Sequence, residues 1–216
     1  MGTLKWRYLI LLALAVLIFP VCMACVPKTP ETVVFPDKNL EKVVRTALDK
    51  PAGEAITPAE LAELTMLSAR EQGITDLSAI EYCTNLTRLE LSKNQLRDVS
   101  PLSSLTNLTM LQLNNISSYS IQIDDISPLS SLTNLTYLSL RSNEISDISP
   151  LASLTNLQWV SLYNNQISDI SPLVENSGLG EGDRVLLGWN NLDLSEGSED
   201  LENIRILEER GVRVDY

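Results

Sequence analysis

Histidine is absent from all 216 residues of the chain, which removes histidine-based catalytic triads and histidine metal sites. Cysteine is scarce. Cys22 and Cys25 close an apolar N-terminal run, and Cys83 stands alone in the body of the chain, so processing of the N-terminus leaves no disulfide framework. Neither a glycine-rich phosphate loop nor a nucleophile elbow occurs. Long apolar runs are missing too. The longest, Tyr8–Phe19, has 12 residues, whereas a membrane-spanning helix needs about 20. Positive charge is in short supply, with 16 Lys and Arg against 28 Asp and Glu and a net charge of −12. Without residues 1–24 the balance is 14 against 28, or −14, because Lys5 and Arg7 go with them. Such a surface repels phosphate backbones and argues against nucleic acid as a partner. These absences together argue against an enzyme, and they point to no cofactor and no metal.

What the chain does have is a repeat. The segment LTNLTYLSLRSNEISDISPLAS from Leu132 returns 22 residues later, from Leu154, as LTNLQWVSLYNNQISDISPLVE. The same frame starts at Leu105, Cys83 and Leu61, with five extra residues in the third unit around Ile116–Gln122. Its second half reappears at Val185–Leu192. About six units result, and a fixed short period of this kind means one small supersecondary unit stacked on copies of itself.

Within a unit, Leu138-Ser139-Leu140 alternates with period two, which predicts a short strand with the leucines inward and Ser139 outward. Asn143 follows at the turn, with Gln72, Asn94, Asn165 and Asn190 in comparable places. This column of amides is expected to satisfy buried backbone polarity. Ser149 is placed to cap a helical or 3-10 turn, with Pro150 at its first position. Asp76, Asp98, Asp125, Asp147 and Asp169 recur just before these turns. Periodicity alone stacks them, so they read as local acceptors rather than metal ligands. Cys83 takes a leucine position and reads as a small buried apolar residue.

The pattern L-x-x-L-x-L-x-x-N-x-I-x-D-I-x-P-L over residues 61–192 resembles the 22-residue leucine-rich repeat of bacterial internalins and related bacterial surface proteins. The flanks are similar as well. Phe35–Leu40, followed by the apolar stripe Leu40, Val43, Val44, Ala47 and Leu48, resembles that family's helical N-terminal cap. The segments Gly178–Asp183 and Arg210–Tyr216 are similar to a C-terminal end common in such proteins. The resemblance implies an α/β leucine-rich repeat solenoid, with a curved parallel β-sheet on its concave face and short 3-10 or helical turns on its convex face. It also implies a recognition role without naming a receptor. The expected organisation is a signal peptide at 1–24, a tether at 25–34, a helical N-terminal cap at 35–60, repeats at 61–192 and a C-terminal cap at 193–216. Asp37 and Thr57 are expected helix N-caps, the latter in a capping box with Glu60. Leu201, Ile204 and Leu207 are expected to form one face of a closing helix.

Lys5 and Arg7, the 12-residue apolar run and the small-residue exit Cys22-Met23-Ala24-Cys25 have the form of a secretory signal. Cys25 resembles the lipobox cysteine of bacterial lipoproteins, although Cys22 stands where leucine is usual. Lipidation at Cys25, cleavage after Ala24 with free secretion, and an uncleaved anchor are the three outcomes. All of them place the chain outside the cytoplasm, touching membrane only through its N-terminus.

The positions that vary within a constant frame are the informative ones. Strand residues flanking the inward leucines should face out of the concave sheet. They are Arg88 and Glu90, Met110 and Gln112, Tyr137, Ser139 and Arg141, then Trp159, Ser161 and Tyr163, and finally Arg184. Ser92, Asn114 and Leu186 share that face. Stacked strands should set Tyr137 beside Trp159 and Arg141 beside Tyr163, residue types enriched at binding hot spots. The expectation is a monomeric, non-enzymatic recognition module for a protein. A carbohydrate-binding envelope protein and a structural spacer are the alternatives.

Overall fold

The computed structural model describes residues 31–115 and 122–216. The expected signal peptide, Cys25 and most of the tether lie outside the described residues, as does the insertion apart from Gln122. Among the described residues no helix is long and apolar enough to cross a membrane.

The architecture is the expected solenoid. Among the described residues seven strands of three residues each form one sheet in sequence order, every neighbouring pair parallel. They are β1 (Met66–Ser68), β2 (Arg88–Glu90), β3 (Met110–Gln112), β4 (Tyr137–Ser139), β5 (Trp159–Ser161), β6 (Arg184–Leu186) and β7 (Arg213–Asp215). The pairing has no register slip, so Leu89, Leu111, Leu138, Val160 and Val185 form one continuous inward row. A slip of one residue would turn that buried row to solvent, and the leucine period forbids it. The last strand comes from the closing segment, beyond the six units read from the sequence.

The return legs are 3-10 turns at Ile80–Tyr82, Ser100–Ser104, Ser127–Ser131 and Ser149–Ser153, and a short helix α3 at Ser171–Glu175. One expectation is overturned here. Ser149 is not the cap, because it lies inside the turn and its own N–H needs an acceptor. That acceptor is Asp147, whose carboxylate takes the Ser149 N–H at 2.8 Å, and Asp98, Asp125 and Asp169 do the same for Ser100, Ser127 and Ser171. The recurring aspartates thus initiate the turns. At Asp125 the backbone N–H and hydroxyl of Ser127 hold the carboxyl below its ordinary range.

Two amide columns bind the coils together. Asn165 donates to the carbonyls of Leu140 and Leu162 at 3.0 and 2.9 Å and accepts from Ile145 N–H at 3.2 Å. Asn143 bridges Leu113 and Leu140, and Asn190 bridges Leu162 and Leu187, so consecutive carbonyls are shared along a chain of amides. Asn94 makes the equivalent bonds to Ala69 and Leu91, one stretch earlier. Gln72 departs from the pattern, being exposed and bonded to its neighbour's carbonyl at Arg70. The second column is exposed: Asn85, Asn107, Asn134 and Asn156 each donate to a carbonyl of the preceding coil.

Both ends are covered, as a row of open strand edges and bare leucines requires. Helix α1 (Lys38–Ala47) buries Leu40 and Val44, and α2 (Pro58–Leu61) opens on the Thr57–Glu60 capping box. At the other end α4 (Glu199–Glu209) buries Ile204 and Leu207, with Leu201 half-buried.

Asp37 joins the N-terminal cap to the first repeat. Its carboxylate caps α1 through Asn39 and Leu40 N–H, and its other oxygen accepts from the N–H groups of Thr75 and Asp76 and the Thr75 hydroxyl. Burial alone would raise this carboxyl, but the amides of Thr75, Leu40 and Asp76 and the Thr75 hydroxyl outweigh it and hold the group below its ordinary value. A lowered acid stabilises the fold above the unfolded pKa of about 3.9 and loses that contribution as pH falls through the folded value. Asp37→Asn is therefore expected to melt lower than the parent at pH 7, and the gap should shrink below about pH 4. Melting curves of the two proteins at both pH values check this; a gap that stays constant refutes it.

Candidate interaction surface

Because side chains alternate along a strand, the residues on either side of each inward leucine share the outer face of the sheet. Exact register then aligns them in rows across the strands. The first row runs Met66, Arg88, Met110, Tyr137, Trp159, Arg184, Arg213. The second runs Ser68, Glu90, Gln112, Ser139, Ser161, Leu186, Asp215. Backbone bonds continue past the strands, from Leu140 N–H to Ser161 and from Leu162 N–H to Leu186, which carries Arg141 and Tyr163 onto the same face as a third row.

The expected neighbours meet. The rings of Tyr137 and Trp159 stack with centroids 4.2 Å apart and planes 2° from parallel. The guanidinium of Arg141 lies 4.8 Å from the centre of the Tyr163 ring, within range of a cation–π contact. Gly188 follows in that row, where a Cβ would stand 3.2 Å from the Tyr163 ring, so glycine leaves the ring its space. Arg184 is held beside Trp159 by Asp215, with its Nε 2.7 Å from the carboxylate. Partial burial raises the Tyr137 hydroxyl above its ordinary pKa, helped by the charge of Glu90 and opposed by Arg141. The ring is therefore neutral throughout the physiological range.

Three serines are corrected. Ser139 and Ser161, expected to contact a partner, are 1% and 0% exposed, and Ser92 is equally buried. Each is a two-atom side chain below the level of its neighbours, Ser139 between Tyr137 and Arg141, and Ser161 between Trp159 and Tyr163. Ser139 donates to Asn114 at 2.5 Å and so supports the surface from beneath. Of the other expected residues, Arg88 and Arg141 are exposed, while Glu90, Met110, Gln112, Tyr137, Trp159, Tyr163 and Arg184 are half-buried. The Glu90 carboxylate turns along its own strand to accept the Ser92 N–H at 2.8 Å.

One residue was missed. Trp189 is 76% exposed, with its ring 6.3 Å from that of Tyr163. It occupies the ascending turn, where Glu71, Lys93, Ser142 and Asn164 of other units also have left-handed backbone, and its own φ is 62°. The left-handed conformation costs a bulky L-residue about 1–2 kcal/mol, which asparagine largely avoids. The signal available in the sequence was an aromatic at a position that other units fill with small or polar residues, two places after the last inward leucine. Trp189→Asn is expected to stabilise the fold by about 0.5–1 kcal/mol while weakening partner binding, since backbone strain at an exposed aromatic points to use of that side chain. Denaturant melts and binding titrations of the two proteins decide it; a less stable variant overturns the strain argument.

Cys83 fills its leucine position as expected. Burial, assisted by Glu81, pushes its thiol up to about 12, so it is a packing residue and not a nucleophile. Among the described residues no group of three or more histidine, cysteine, aspartate or glutamate side chains is placed to hold a metal ion.

With this geometry in place, the chain can be set beside known proteins. The family described as Leucine Rich repeats (2 copies) matches residues 62–104, 84–131, 118–153 and 133–175, together more than half of the chain. No curated protein matches it in sequence. Among solved structures, internalin C2 from Listeria monocytogenes is 34% identical with a TM-score of 0.58, the match covering 85% of this chain and 88% of that one. An internalin (InlF) from the same organism is 29% identical with a TM-score of 0.61, over 84% of this chain and 56% of that one. A leucine-rich repeat protein of Leptospira interrogans, 22% identical over 87% of this chain and 46% of that one, shares the fold with a TM-score of 0.58. A continuous leucine spine, seven parallel strands in register, amide columns and this similarity lead to one assignment: the chain belongs to the leucine-rich repeat family, in its internalin-like form.

Proposed function

We propose that this chain is a non-enzymatic recognition module, exported and displayed at a bacterial surface, that binds a protein partner through the concave face of its solenoid. The observation that carries this reading is the stacked Tyr137–Trp159 pair, extended by Arg141, Tyr163 and Trp189 on one exposed wall. Aromatic and arginine side chains dominate binding energy where they cluster at the centre of an interface. Short, in-register strands hold them on a rigid frame, so little ordering entropy is lost on docking. The module acts as a monomer and carries its contacts on this one wall. Display follows from the secretory form of the N-terminus, with Cys25 as the lipid attachment point.

The stack also bears on the choice between protein and sugar. A sugar ring lies flat on an aromatic face, but Tyr137 and Trp159 each cover one face of the other and have Met110 and Arg184 as their outer neighbours in the row, which favours approach along the ring edges. Edge contacts suit the mixed apolar and polar surface of a protein. The test applies the purified chain in parallel to a glycan array and to a crosslinking capture from surface proteins of host cells. A crosslinked protein lost in Trp159→Ala supports the reading; a Trp159-dependent glycan signal without a captured protein would replace it.

A further inference from the structure

Charge is distributed very unevenly over this molecule. Of its 28 acidic residues only Glu90 and Asp215 stand in the rows of the outer sheet face, whereas Arg70, Arg88, Arg141, Arg184 and Arg213 all do. Arg70 joins them because the β1 ladder continues beyond its strand, Ala69 N–H donating to Glu90 and Glu71 N–H to Ser92. Five arginines against two carboxylates make this wall positive by three, on a chain whose total is −12. Asp215 is shared between Arg184 and Arg213, at 2.6 and 3.8 Å. Among the described residues no salt bridge involves Arg70, Arg88 or Arg141.

The order within the first row adds a shape to the charge. Met110, Tyr137 and Trp159 form an apolar centre, with Arg88 on one side and Arg184 and Arg213 on the other. Arg88 and Arg184 are four strand steps apart, or about 19 Å, which an extended peptide covers in about six residues. We propose that the concave face binds an acidic protein segment, with an apolar residue against the edges of the Tyr137–Trp159 stack and carboxylates on either side reaching Arg88 and Arg184. This proposal rests on the recognition reading above and narrows its partner by chemistry. Complementary charge steers such a segment to this positive wall of a chain that is acidic in total. Arg141, spread over the Tyr163 ring, offers its guanidinium to a third carboxylate.

The probe is a displayed library of random peptides about 12 residues long, selected on the full chain, long enough to span the row when extended. The expected winners are net acidic with an apolar residue inside the acidic stretch, and lose affinity in Trp159→Ala. Their binding should fall by about tenfold or more in Arg88→Glu/Arg141→Glu, and again on raising salt from about 50 to about 500 mM. The neutral pair Arg88→Gln/Arg141→Gln, checked for an unchanged melt, should show the same loss in smaller degree. Trp159-dependent winners that are neutral or basic would overturn the acidic assignment and leave the recognition reading standing. A heparin oligosaccharide that binds with the same arginine dependence, and more tightly than any winner, would overturn it in favour of a sulfated glycan. A selection with no Trp159-dependent winner would overturn both readings together.

Discussion

Tyr137→Ala combined with Trp159→Ala is expected to abolish partner capture, weakening affinity by about 100-fold or more, while the protein stays folded. The loss is large because hot-spot aromatics each contribute about 2 kcal/mol or more, and these two stand at the centre of the row. The stability cost is small. Neither ring enters the leucine spine, and the stack itself is worth about 0.5–1.5 kcal/mol. For a chain of this size that lowers the melting temperature by only a few degrees, at about 2–4 °C per kcal/mol. The rings touch, so the two single substitutions should not add; a double-mutant cycle is expected to show coupling. Surface plasmon resonance beside calorimetry reads both quantities. Intact binding with a collapse in stability would assign the pair to the fold instead.

The second large effect belongs to the interior. Asn165→Leu removes the amide that links Leu140, Leu162 and the Ile145 N–H, and leaves that N–H with no acceptor inside the coil. A buried unsatisfied group costs about 1–3 kcal/mol, and two further bonds go with it, so the expected loss is about 2–4 kcal/mol. The carbonyls suffer less than the N–H, since Asn143 still donates to Leu140 and Asn190 to Leu162. Asn134→Ala provides the contrast. Its single bond to Thr106 is exposed and replaceable by water, so it should cost under about 1 kcal/mol. Urea melts of the two variants rank the columns. Equal losses would mean that burial does not decide the value of these amides.

The fold was legible because a repeat states its own register. Once Leu138 and Leu140 face inward, period two fixes the strand, and a spacing of 22 residues fixes which side chains become neighbours. Tyr137 against Trp159 followed from that arithmetic alone, and so did Arg141 against Tyr163. Exposure did not follow. Ser139 and Ser161 lie at outward positions, yet the flanking rings rise above them, and side-chain height across neighbouring strands is not written in one strand's alternation. Trp189 escaped for a related reason. The strand pattern stops before the ascending turn, and only the backbone shows that this turn projects its left-handed residue toward the Tyr163 ring. The turn-initiating role of Asp147 is partly visible in its recurrence, but a serine before proline has the form of a cap, and only the backbone shows that the Ser149 N–H itself takes Asp147 as acceptor. The closing strand β7 lies outside the 22-residue frame: Val212 and Val214 alternate inward, but Arg213-Val214-Asp215 lacks the leucines and the asparagine that mark the other units.

Partner contact at the wall of strands is the claim on which the functional account stands. A photo-crosslinking amino acid placed at Met110, beside Tyr137 in the first row, and in a second protein at Ser130, on an exposed 3-10 turn, tests it directly. The account predicts a discrete adduct with the partner from position 110, none from position 130, and loss of the adduct when Trp159→Ala is added. An adduct from position 130 alone, or one from position 110 that survives Trp159→Ala, would contradict it.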